Sequence, residues 1–123
     1  MKVKKVKIGI KGIKDIFDDV KETVKKLEHG EKLKPVKEPE IYFTSFEAFR
    51  KALTPKRLEL LHTIRIKKPS SLHELARITK RDIKNIAEDV KYLERIGLLE
   101  KKAENKKTTP IIKYDKIALE IAV

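Results

Sequence analysis

Residues 71–99 read SLHELARITKRDIKNIAEDVKYLERIGLL, and the helix signals within this stretch decide the fold. Ser71 and Glu74 stand three apart, the spacing at which hydroxyl and carboxylate satisfy each other's backbone donors in a capping box. They open a short helix with Leu72, Leu75 and Ile78 turned inward. Thr79-Lys80-Arg81 interrupts it, and Asp82 caps a second helix spanning 82–96. Along that helix Ile83, Ile86, Val90 and Leu93 recur at the period of a single apolar face. Gly97, which accepts a left-handed conformation without penalty, ends it.

Working outward, Thr54-Pro55 reads as N-cap and first helical residue of an earlier helix that buries Leu58, Leu61 and Ile64 and is broken by Pro69. Ile41-Tyr42-Phe43 precedes it as a short strand. Thr44 and Glu47 form another capping box, opening a helix with Phe46, Phe49 and Leu53 inward. Downstream, Leu98-Leu99-Glu100-Lys101-Lys102 is strand-like, Glu104-Asn105-Lys106-Lys107 is the tip, and Pro110 to Tyr114 returns. Ile117, Leu119, Ile121 and Val123 alternate as a final strand with one buried face. Three helices followed by a basic ribbon is the order of a winged helix-turn-helix. The expected class is α+β, with residues 41–123 forming that domain.

Residues 1–40 read as an appended strand-helix arm and linker. Residues 2–10 alternate Val and Ile with Lys as a half-exposed strand. From Ile13 the period becomes helical, with carboxylates early and lysines late, the order that the helix dipole favours. His29-Gly30 closes this helix, and residues 31–40, with Pro35 and Pro39 among charges, look like an extended linker. Ile16, Phe17, Val20, Val24 and Leu27 form one apolar stripe that needs cover. The expectation is a homodimer built on that stripe, the alternatives being an intramolecular resting place or a different protein partner.

Composition narrows the function. Lys and Arg outnumber Asp and Glu by 31 to 19 in 123 residues, a net charge of +12. Such an excess favours a polyanionic partner, most simply nucleic acid; a lysine-rich surface of ion pairs is the bland alternative. The chain has no cysteine, which removes disulfide and thiolate chemistry and fits a reducing compartment. No apolar run reaches the length of a membrane span and no signal-peptide core follows Met1, so a cytoplasmic protein is expected. His29, His62 and His73 match no zinc spacing, and no phosphate-cradling glycine loop is present. Asp18-Asp19 and Glu88-Asp89 are adjacent, so they point to different azimuths of a helix and do not converge as a catalytic pair. No enzyme, no cofactor and no metal are expected.

The helix 82–96 would enter a major groove with its N-terminal outer face. Lys84 and Asn85 lie there, with Lys80 and Arg81 in the preceding turn. Asn bonds adenine bidentately, and Arg or Lys reads guanine or holds phosphate. Lys101, Lys102, Lys106 and Lys107 would set a ribbon of charge against the DNA backbone. Ser70 and Ser71, at a helix N-terminus, would offer a hydroxyl and backbone N–H groups to phosphate. Tyr92 and Tyr114 read as packing residues with a polar tip.

The stretches LTPKRLELL (53–61), Leu75-Ala76-Arg77 with Arg81-Asp82, Asn85 to Val90, and LERIGLL (93–99) resemble a family of predicted archaeal and bacterial transcriptional regulators, distantly similar to the MarR and DeoR winged-helix groups. The resemblance covers residues 41–123. It implies a winged helix, double-stranded DNA binding and no cofactor. It also implies a second role, neutralising a partner protein as an antitoxin does, because some members sit beside toxin genes. Asp89 matches the acidic residue of the DeoR-like Arg-Asp-Leu signature, whereas Glu88 stands where that signature has arginine, which removes one phosphate contact.

Overall fold

A computed structural model describes residues 4–31 and 40–121. It is α+β, and its chain divides into two compact units. One comprises Met1–Ala52 with Tyr114–Val123, and the other Leu53–Lys113.

The first unit is organised around strand β1 (Lys5–Ile10). Helix α1 (Ile13–Glu28) connects it to β2 (Glu40–Phe43), and α2 (Phe46–Ala52) follows. Strand β5 (Lys116–Ile121) completes a parallel sheet in the order β2-β1-β5. Register explains the pairing. Val6, Ile8 and Ile10 align with Ile117, Leu119 and Ile121 of β5, and Ile8 and Ile10 with Ile41 and Phe43 of β2. Side chains alternate along a strand, so these residues share one apolar face, where Val6 and Ile8 are buried. Phe49 of α2 meets the edge of Phe43, with ring centroids 5.8 Å apart.

The opposite face is polar. Lys7 lies 3.1 Å from Glu120, which holds its ammonium above the usual lysine range. Tyr42 donates to Glu40 and carries the Lys11 ammonium 4.6 Å above its ring. A Cβ at Gly9 would stand 2.8 Å from two Tyr42 ring carbons, so glycine is what lets that ring lie across the strand.

Three differences from the sequence reading appear here. The final strand was expected within the winged-helix segment, whereas β5 pairs with β1, so the compact units divide at Ala52 and Lys113 rather than after residue 40. Matching of apolar faces across more than a hundred residues of chain drives that pairing, and no local signal carries it. The α2 cap is Ser45, whose hydroxyl accepts from the Ala48 amide at 3.1 Å, not Thr44. Phe46, expected inward, is 49% exposed. Residues 2 and 3 of the expected first strand, the linker residues 32–39 and Val123 lie outside the described residues.

The second unit runs α3 (Pro55–Lys67), α4 (Leu72–Thr79), α5 (Ile83–Arg95), then the antiparallel hairpin β3 (Glu100–Glu104) and β4 (Lys107–Ile111). Each helix starts on the expected cap. Thr54 Oγ1 accepts from the Arg57 amide, Ser71 Oγ from that of Glu74, and an Asp82 carboxylate oxygen from that of Lys84. The core is Leu60, Leu61 and Ile64 of α3, Leu75 and Ala76 of α4, and Ile86, Val90 and Leu93 of α5, joined by Leu98 and Leu99. Leu58 and Ile78, both expected inward, are 44% and 37% exposed. Apolar residues surround α3, so their spacing selects no single inner face. Gly97, at φ +91°, ends α5 and lets the Leu98 amide reach back to the Leu93 carbonyl at 2.9 Å, which turns Leu98 into the core.

Candidate nucleic-acid interface

The second unit carries sixteen Lys and Arg against eight Asp and Glu, twice as many cations as anions. Inward packing of Ile86, Val90 and Leu93 leaves Lys84, Asn85 and Glu88 exposed on the outer side of α5 near its N-terminus. Among the described residues no ion pair joins Lys84 to Glu88, so this face is not a closed intrahelical charge pair.

The connection from α4 to α5 is unusual. Lys80 takes the left-handed C-cap position at φ 55°, ψ 41°, where glycine is the ordinary occupant. The Arg81 amide then reaches the Ala76 carbonyl at 3.0 Å. The exposed Lys80 side chain is thereby held beside the entering end of α5 at a conformational cost that a glycine would avoid.

Asp89 faces the other way, into the unit. Its two carboxylate oxygens accept from Arg57 Nε at 3.1 Å and Arg81 Nη2 at 2.7 Å, with the three side chains 15–24% exposed. The Arg57 guanidinium also lies 4.1 Å over the Tyr92 ring. One carboxylate therefore ties together α3, the α4–α5 connection and α5. Sequence reasoning passed over this cluster. The available signal was an aspartate at the border of an apolar stripe, between Ile86 and Val90, because a half-buried carboxylate requires cationic partners.

A model of the HVO_A0114 family matches residues 52–119. The chain belongs to the HVO_A0114 family. The match takes in the three helices and the hairpin of the second unit, whereas β1 and α1 precede it. No curated protein and no solved structure matches the chain.

In this HVO_A0114 member the hairpin is closed by Asn105 and Lys106, at φ 49° and 65°. Two successive left-handed residues are the requirement of a type I′ turn, whose twist matches that of the strands. The turn sets Lys106 and Lys107 at the tip, and among the described residues neither is paired with an acid. Lys101 and Lys102 differ. The first lies 3.3 Å from Glu94 and the second 3.1 Å from Glu104.

The ten residues singled out from the sequence thus separate into groups. Lys80, Lys84, Asn85, Lys106 and Lys107 are exposed without an internal ion pair among the described residues. Lys101 and Lys102 are exposed and paired. Arg81 is half-buried on Asp89. Ser71 is occupied as a cap, and the Ser70 hydroxyl donates to Glu74 at 2.8 Å while its carbonyl accepts from Thr109 at 2.7 Å. Among the described residues no cluster of three or more His, Asp or Glu has a metal-holding arrangement. No helix there is long and apolar enough to cross a membrane.

Proposed function

We propose that residues 53–113 form a winged helix that binds double-stranded DNA, and that the protein is a sequence-specific transcriptional regulator acting as a repressor. In this reading α5 enters the major groove and the β3–β4 hairpin is the wing along the backbone. The observation that carries it is the sorting of charge around α5. Asp89 is neutralised internally by two arginines, while Lys80, Lys84 and Asn85 stand exposed at the entering end. Asn85 supplies the donor and acceptor pair that adenine requires, and the lysines supply guanine or phosphate contacts. The resemblance to the MarR and DeoR groups supports the same reading.

Selection of bound sequences from random duplex DNA, at stated salt, tests it directly. A regulator yields a recurring motif, and Asn85→Ala relaxes the preference at particular base pairs, costing about 1–3 kcal/mol there. Recovery of no motif, with affinity indifferent to salt, would sink the proposal. An antitoxin-like interaction module is the second reading, favoured by the exposed apolar residues of α1. It predicts capture of a protein partner and no duplex binding.

A further inference from the structure

Strand β5 forms one side of the β2-β1-β5 sheet, and among the described residues no strand pairs with its outer edge. In a parallel pair, alternate residues of a strand bond the neighbouring strand. The Lys116 amide reaches the Lys4 carbonyl at 3.3 Å, so residues 116, 118 and 120 commit their backbone groups to β1. Ile117, Leu119 and Ile121 therefore turn theirs outward. Such an edge is a template for another strand unless charge, proline or a bulge blunts it. Here Leu119 and Ile121 are 41% and 51% exposed, and β5 holds no proline.

We propose that β5 pairs antiparallel with β5 of a second copy of this chain about a two-fold axis at Ala118, joining the two sheets into one. The sequence of the strand, KIALEI, selects both occupant and register. Directly opposed residues of an antiparallel pair share a face of the sheet. With Ala118 on the axis, Lys116 of each copy stands opposite Glu120 of the other, and Ile117 opposite Leu119. The charges then meet on the polar face that carries Lys7, and the apolar residues on the face where Val6 and Ile8 are buried. Lys116 is exposed and, among the described residues, paired with no acid. Glu120 lies 3.1 Å from Lys7, yet its side chain stays 65% exposed and open to a second cation. Moving the axis to Leu119 sets Glu120 against Ala118 and leaves no charge pair, and a slip of one residue sets polar faces against apolar ones. Parallel addition places Lys116 beside Lys116 and leaves a further edge open, whereas the two-fold arrangement closes. Strand β2, on the other side of the sheet, lacks this symmetry. It has four residues, and Glu40, its one charged residue, already accepts from Tyr42. The pairing lies in the first unit and stands whether or not the second binds DNA.

Light scattering on the full chain reads the mass, which is expected at twice 14.3 kDa. K116E alone and E120K alone each set like charges opposite one another and are expected to weaken the dimer about tenfold or more. Mixing the two chains restores both opposite-charge pairs, so a heterodimer with the affinity of the parent is expected. A damaged monomer cannot produce that rescue. I117P removes an outward amide and no bond to β1, so a monomer with unchanged circular dichroism is expected. Because the chain has no cysteine, register is read by disulfide coupling. A118C meets its own copy at a Cα separation of roughly 4.5 Å, within disulfide reach, and couples with itself faster than L119C. A monomer at the highest soluble concentration overturns the proposal, as does a dimer that I117P leaves intact. So does a mixture of K116E and E120K that binds no more tightly than either alone. Preferential self-coupling of L119C overturns the register.

Discussion

Replacing Asp89 with alanine separates a structural role from a DNA contact more sharply than any other single change. The carboxylate accepts two charge-assisted hydrogen bonds, at 3.1 Å from Arg57 and 2.7 Å from Arg81, and is itself 15% exposed. Each such bond contributes about 1.5–3 kcal/mol when shielded. Because the arginines keep 21–24% of their surface in water, the lower half of that range applies to each of the two bonds, and D89A is expected to cost about 3–4 kcal/mol in all. That is a large fraction of a small domain's stability. In urea, followed by helical circular dichroism, the midpoint falls at nearly constant slope. R81A is then expected to cost much less in the D89A background than in the parent, because its partner is already gone. Duplex affinity should hold or rise, since two guanidinium groups lose their internal anion and the net charge grows. A D89A loss below about 0.5 kcal/mol, or equal costs of R81A in both backgrounds, would refute the bracing role.

Three further outcomes are expected. Lys80→Gly relieves left-handed strain at the α4–α5 connection and should stabilise the unit by about 0.5–1 kcal/mol while weakening duplex binding; a destabilised variant in urea contradicts the strain argument. Lys106→Ala with Lys107→Ala should weaken all duplexes alike and make the log–log salt slope less negative by roughly 0.9 for each phosphate no longer neutralised, so an unchanged slope removes the hairpin tip from the interface. Burial pushes the Tyr114 phenol up from about 10 to about 12. Its protonated form favours the fold, so its contribution is complete below pH 10 and is lost as pH climbs toward 12. Phenolate absorbance should show an ionisation near pH 12 that Tyr114→Phe removes, and the same substitution should flatten the alkaline loss of stability.

What the sequence determined by itself was whatever depends on neighbours a few residues apart. Thr54, Ser71 and Asp82 cap the helices they were expected to cap, because a side chain bonding an amide two or three residues on needs no distant partner. Gly97 and the Asn105-Lys106 tip follow from backbone conformations that local chemistry either permits or resists. The inner stripe of α5 is legible because its polar and apolar residues alternate cleanly at the helical period. Tertiary structure decided the rest. With Leu58, Leu60, Leu61, Ile64 and Ile66 around α3, only packing chose which of them to bury. Arg57 meets Asp89 across 32 positions of chain, and the Lys4 amide meets the Asp115 carboxylate across 111. Neither meeting leaves a trace in local spacing. The same holds for β5, whose alternation shows that it is a strand with an apolar face. Which strand receives that face is settled only when the chain closes and β1 offers Val6, Ile8 and Ile10 in matching register.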